Sequence, residues 1–207
     1  GVYDADGANG DDFRTVGGDY YKPTDADYEA NCDEARQLLA DAGYPNGEGF
    51  PVVEYLYNTS DAHKAVAEAL QFMWEEELGV KVTLNNQEWA AFLQTRKDGD
   101  YSIARNGWIA DYNDPISFLD MWMTGGGNND AQYANDDYDA LIKQAKTTTD
   151  NAERMDLLHQ AEDKLIGEDS VLAPLYFYTQ KYMLADGIEG MYYCPLGYFF
   201  FGYTHQA

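Results

Sequence analysis

Between Gln87 and Phe118 the chain reads QEWAAFLQTRKDGDYSIARNGWIADYNDPISF. This stretch brings Trp89, Arg96, Arg105, Trp108 and Asp111 to, or close to, the ends of predicted strands and helices. In an open α/β sheet the carboxyl ends of the strands face the ligand crevice, so these positions are where recognition chemistry belongs. The chain carries a formal charge of −24, yet two of its few arginines fall here. A cation kept inside so acidic a molecule is commonly reserved for an anion. Residue types alone leave other uses open: ion pairs for Arg96 and Arg105, core packing for Trp89 and Trp108, a turn before Asn113-Asp114-Pro115 for Asp111. Trp74 and Trp122, set among apolar neighbours on predicted helices, read as core.

Other chemistries find less support. The three histidines, His63, His159 and His205, are far apart, and no HxxxH or CxxC spacing joins them into a metal site. There is no GxSxG elbow, no P-loop and no GxGxxG after a strand. Gly125–Gly127 lacks the basic neighbours of a phosphate cradle and reads as a loop. The Asp4–Asp12 run looks superficially like a calcium loop, but Thr15 stands where the bidentate Glu is required. Acidic and aromatic residues are abundant enough to keep a carbohydrate-binding or glycoside-hydrolase domain as the alternative reading, although sequence singles out no opposed carboxyl pair.

Composition narrows the class further. Thirteen basic against 37 acidic residues argue against nucleic acid, whose phosphates are bound through clustered Lys and Arg. Apolar residues make up 45% of the 207, a globular proportion, and a chain of this size buries roughly 70% of its unfolded surface. Aromatics reach 15%, with 18 tyrosines that suit sheet packing as well as binding surfaces. Cys32 and Cys194 set no disulfide framework, and no run of 18 or more apolar residues is present.

The elements that must position the chemistry follow from periodicity. A helix is predicted from Asn31 to about Ala42, with Asn31 and Glu34 as a capping box and Leu38 and Leu39 facing inward. A strand over Val52–Asn58 leads to a helix over Asp61–Glu77, with Val66, Leu70, Met73 and Trp74 at helical spacing. A strand at Lys81–Asn85, a helix at Glu88–Lys97 and a strand at Tyr101–Ile109 come next. This alternation predicts an α/β domain with a largely parallel sheet. Beyond Pro115 helices are predicted at Ile116–Met123, Asp136–Lys146 and Asn151–Ile166, the last with Met155, Leu158 and Leu165 on one stripe. Val171–Leu184 reads as a return strand or an extended crossover. The aromatic tail Cys194–Tyr203 is expected to add to a sheet rather than stay exposed.

Several segments together resemble the oligopeptide-binding proteins of ABC importers, the family-5 extracellular solute-binding proteins. They are YNTSDAHK (Tyr57–Lys64), LGVKVTLNNQEW (Leu78–Trp89), TRKDGDYSIARNGWIADYNDP (Thr95–Pro115) and APLYFYTQKYML (Ala173–Leu184). The resemblance runs from about Tyr20 to the C-terminus. It implies a periplasmic-binding-protein-like (type II) lobe, a mixed sheet flanked by helices, spanning 23–186. A flexible segment would precede it at 1–22, and a returning aromatic tail would succeed it at 187–207. It also implies that the lobe is the C-terminal one of two, that no cofactor is needed, and that the protein is not an enzyme.

The same resemblance assigns roles. Asp111 matches the carboxylate that pairs with a peptide's α-ammonium group. Arg96, Arg105 and His63 match positions that receive the C-terminal carboxylate of peptides of different lengths. Guanidinium suits that task because it stays charged and can bind a carboxylate through two parallel bonds. Trp89 and Trp108 match aromatic walls of side-chain pockets, while Asn58, Gly107 and Tyr178 match positions near the peptide backbone. The expected partners are short peptides, an N-terminal lobe and permease subunits, outside the cytoplasm as a lipid-anchored or periplasmic protein. Ile109 stands where some relatives place a disulfide cysteine, so that bridge is not implied.

Overall fold

The computed structural model describes residues 25–178, 181–194 and 196–207. The expectations for 1–22, including the calcium-like run, lie outside these residues. The first described element is helix α1 (Asp25–Asp41). Asn31 therefore lies inside the helix and does not cap it, because nothing between Asp25 and Asn31 interrupts helical geometry. Leu39 packs inward, but Leu38 is 62% exposed. Consecutive residues point about 100° apart on a helix, so the inward stripe accepts only one of them.

A parallel sheet forms the heart of the chain's first half. Strands β1 (Val53–Asn58), β2 (Val82–Gln87) and β3 (Ile103–Ala104) lie in the order β2-β1-β3. Helices α2 (Asp61–Leu78) and α3 (Trp89–Asp98) make the crossovers. Gly79 and Gly99 end these helices in the left-handed conformation, at φ 67° and 73°. A side chain there would be strained, which explains glycine at both stops. Tyr55 and Tyr57 alternate onto one face of β1 and pack with Ala67, Leu70, Val80 and Val82. Leu56 points the other way; it and Phe92 of α3 are fully buried.

The third strand is shorter than the expected Tyr101–Ile109. After Ala104 one more ladder bond forms, from the Arg105 N–H to the Leu56 carbonyl at 2.8 Å. The chain then leaves the sheet, because the Gly107 N–H is taken by the Asn106 side chain at 2.7 Å instead of by a strand.

The second half is a helical layer. Its elements are α4 (Ile116–Leu119), α5 (Asp136–Thr147) and α6 (Asn151–Glu162). The predicted helix at Ile116–Met123 changes to a 3-10 turn at Asp120–Trp122, and the one at Asn151–Ile166 to a π turn at Asp163–Glu168. Asn135 and Asp150 cap α5 and α6, each accepting two backbone N–H bonds. Leu119, Trp122, Tyr138, Ile142, Leu158 and Leu165 form the buried core of this layer, with Trp108 packed against it. Trp122 is core as expected, and Trp74 lies half-buried against the sheet cluster.

Residues 171–178 run without strand pairing, so the segment is a crossover in its described part. The aromatic tail makes small antiparallel pairs of its own. Strands β5 (Tyr192–Cys194) and β6 (Tyr198–Phe200) form one, and β4 (Ile188–Glu189) and β7 (His205–Gln206) the other. Cys32 and Cys194 are separate free thiols. No described helix is long and apolar enough to cross a membrane.

Candidate ligand-binding site

Register sets the site. Asn58 pairs with Gln87 and Leu56 with Ala104, so the last residues of all three parallel strands end at one edge of the sheet. The residues just beyond each strand are therefore gathered there: His63 in the first turn of α2 after β1, Trp89 opening α3 after β2, Arg105 directly after β3. That is the carboxyl edge, where α/β sheets place their ligands.

Arg105 is the centre of the cluster. Its Nη1 donates to Asn58 Oδ1 at 3.2 Å and its Nη2 to the Tyr178 hydroxyl at 3.0 Å. Arg36, Arg96 and Arg154 are each ion-paired, with Asp33 and Glu77, Asp130, and Asp114 respectively. Among the described residues Arg105 has no carboxylate partner. A guanidinium held by two neutral oxygens, in a chain of charge −24, keeps an unneutralised positive charge at the ligand edge.

Its neighbours respond to that charge. The hydrogen bond from Tyr176, 3.4 Å away, and the Arg105 guanidinium draw the Tyr178 hydroxyl below the ordinary phenol pKa, against the effect of burial. Burial, and then the Arg105 cation, lower the pKa of His63. Its Nδ1 lies 3.3 Å from the Asn58 carbonyl oxygen, whose pull in the other direction is weaker. His63 is thus neutral at pH 7, and Arg105 supplies the positive charge.

The two arginines expected to receive a carboxylate are not equivalent. Arg96 is 13% exposed and already bound: its Nε donates to Asp130 Oδ2 at 2.7 Å, its Nη1 to Asn106 Oδ1 at 3.0 Å, and it lies over the Phe92 ring. Gly107 borders the Arg105 guanidinium. Its N–H is consumed by Asn106, and a Cβ there would come 3.0 Å from Arg105 Nη2 and 3.7 Å from the Tyr178 ring. The missing side chain makes room for the guanidinium to fold over the backbone.

The remaining predicted residues lie on either side of this cluster. Trp89 is 53% exposed and stacks on Phe92 with ring centroids 5.8 Å apart. Trp108 is half-buried against the helical core, with an indole N–H that is buried and finds no hydrogen-bond acceptor among the described residues. Asp111 is exposed; its backbone N–H donates to Ser117 Oγ at 3.0 Å. The turn role falls to Asp114, whose carboxylate accepts from the Ile116 N–H and pairs with Arg154. Arg154 and the Ile116 N–H hold the Asp114 carboxyl below its ordinary pKa although burial acts the other way.

Two residues of the cluster were not anticipated. Tyr176 lies edge-on to Tyr178, 5.2 Å between centroids; the period-two spacing in PLYFY was its signal, since alternate residues of an extended chain share a side. Asn106 was signalled only by preceding a glycine, a common setting for local side-chain-to-backbone bonds. Among the described residues no three His, Cys, Asp or Glu side chains converge as a metal site. The site is an open edge: two concavities of about 550 and 420 Å³ lie elsewhere, at Val52 and Gly79–Thr83 and between α5 and α6.

Comparison with known proteins places the chain in a family. The profile of bacterial extracellular solute-binding proteins, family 5 Middle, matches residues 2–130. The chain belongs to that family. It is 39% identical over 191 residues to the dipeptide-binding protein DppE of Bacillus subtilis, covering 92% of this chain and 34% of that protein. It is 40% identical over 158 residues to the periplasmic oligopeptide-binding protein OppA of Salmonella typhimurium, covering 76% and 29%.

Solved structures of family-5 proteins superpose on the chain. Haemophilus influenzae OppA in complex with RPPGFSPFR matches at a TM-score of 0.62 and 36% identity, over 66% of this chain and 27% of that one. The Escherichia coli murein tripeptide-binding protein MppA matches at 0.73 and 32% identity, over 82% and 33%. The α/β binding-protein fold expected from sequence is therefore the fold observed. The chain spans about a third of the length of the curated relatives it matches. These relatives are solute-binding proteins, and the carbohydrate alternative finds no support among them.

Proposed function

We propose that this chain is the peptide-contacting lobe of the substrate-binding component of an ABC importer. The observation that carries the reading is Arg105: a guanidinium at the carboxyl edge of the sheet, with neutral partners only among the described residues. It would receive the C-terminal carboxylate of a short peptide through two parallel charge-assisted bonds. Asp111, exposed six residues on, would pair with the α-ammonium group. Trp89 and the exposed side of Trp108 would wall side-chain pockets, and Asn58, His63 and Tyr178 would border the peptide. Recognition of termini and backbone leaves side-chain preference broad. Support comes from relatives named for dipeptides and oligopeptides and from one solved with a bound peptide.

An open edge offers a peptide one wall. A second lobe would supply the other, closing over the ligand by hinge motion and presenting both to a permease. This is in keeping with a chain about a third as long as its relatives. The setting would be outside the cytoplasm, by lipid anchor or in a periplasm. The test is titration of the isotope-labelled chain with tri- to pentapeptides, free or blocked at either end. Free peptides should bind weakly, with Kd of order 1 mM, shifting signals around Arg105 and Asp111. N-acetylation and Asp111→Ala should each weaken binding, and not additively. Sub-micromolar affinity would contradict the one-wall account; indifference to blocking both termini would overturn the recognition mode.

A further inference from the structure

We infer that Asn106, clamped by Arg96, is a positioning residue for ligand recognition: it fixes the point where the chain leaves the sheet, and so the pose of Arg105, without contacting peptide. Both lone pairs of Asn106 Oδ1 are used. One accepts from Arg96 Nη1 at 3.0 Å, the other from the Gly107 N–H at 2.7 Å. The residue before it makes the last ladder bond, Arg105 N–H to Leu56 carbonyl. The residue after it is the glycine over which the Arg105 guanidinium folds. Asn106 thus stands where backbone hydrogen bonding passes from strand to side chain.

Arg96 is built to hold it. Its ion pair with Asp130 leaves the two side chains only 13% and 14% exposed, and Phe92 covers the guanidinium. The partner loop is itself pinned. The Tyr101 hydroxyl donates to the Asp130 carbonyl at 2.8 Å, and Gln132 Nε2 to the Asp98 carbonyl at 3.2 Å. Asn129 Nδ2 donates to the carbonyls of Trp122, Met123 and Tyr133. Swinging Arg96 out to a ligand would strand the Asp130 carboxylate where water barely reaches it. Its fixed fork instead spans helix α3, the 129–133 loop and the exit of β3, which a lysine's single point charge could not do.

The affinity readout of this inference rests on the peptide reading; the structural readout does not. In the labelled 207-residue chain, Asn106→Ala should speed Gly107 amide exchange about tenfold, the equivalent of one hydrogen bond. It should also weaken trialanine binding by a similar factor. Asn106→Asp, which keeps the Oδ1 acceptor, should restore the protection while leaving affinity low, since it sets a carboxylate against Gly107, over which the Arg105 guanidinium folds. Adding Arg96→Met to Asn106→Ala should cost no further affinity, because a residue acting through Asn106 has nothing left to position. Arg96→Met with Asp130→Asn avoids the stranded carboxylate and should behave alike. Unchanged Gly107 exchange in Asn106→Ala overturns the inference. So does an Arg96→Met loss equal in both backgrounds, which would make Arg96 a direct contact. If trialanine fails to bind the wild-type chain, the peptide reading fails and Gly107 exchange alone decides the clamp.

Discussion

Replacing Arg105 by glutamine removes a positive charge from the carboxyl edge while keeping a polar, though shorter, side chain there. Asn58 and Tyr178 engage Nη1 and Nη2 once each. A guanidinium carries five N–H donors, so enough remain for a bidentate carboxylate. At about 4 Å and an effective dielectric near 20, the attraction is about 4 kcal/mol before desolvation and screening. Charge-assisted bonds at such half-exposed sites contribute about 1.5–3 kcal/mol net. A loss near 2 kcal/mol, about thirtyfold in Kd, is expected for a peptide with a free C-terminus. An amidated peptide offers no carboxylate, so its affinity should change less than about threefold. Chemical-shift titrations of both peptides against both proteins give the four affinities needed, and the free-acid interaction should weaken with added salt. Equal losses for acid and amide, or none for either, would refute the carboxylate role of Arg105.

Two further outcomes arise from burial. His63 and His159 both have pKa values lowered from the ordinary 6.5, mainly by burial. The folded chain therefore binds these protons less readily than the unfolded chain, so their contribution is intact above about pH 6.5 and is lost as pH falls below it. Tm should drop between about pH 7 and pH 5, and ring-proton titrations should give midpoints below 6.5 for both; ordinary midpoints would contradict this. Tyr138 is fully buried and donates to the Leu119 carbonyl at 2.6 Å. Tyr138→Phe deletes that bond while the 3-10 turn over Asp120–Trp122 still engages the carbonyl, and should cost about 1 kcal/mol in urea unfolding; no measurable loss would show that the bond contributes nothing.

The outcome at particular elements shows what sequence reading reaches. The strands at Val53–Asn58 and Val82–Gln87 and helices α2, α3 and α5 were all foreseen within a few residues, because alternation, helical spacing and stop glycines are local signals. The third strand was not, since its length depends on where its neighbour stops offering partners. Leu38 and Leu39 look alike to a pattern reader, yet a single helical face touches the sheet. Asn106 and Tyr176 escaped because each acts on a neighbour whose position comes from elsewhere in the chain.

By itself the sequence determined the acidic field, the α/β alternation and the family resemblance, and it marked Asn58, His63 and Arg105, which the fold gathers at the carboxyl edge. Only the tertiary structure decided which of two arginines stays unneutralised. Arg96 and Arg105 are chemically identical and nine positions apart. Asp130, 34 positions beyond Arg96, folds back onto one of them and, among the described residues, no carboxylate reaches the other. Local periodicity is written in neighbouring residues, but the charge left over for a ligand is what remains after distant segments have paired.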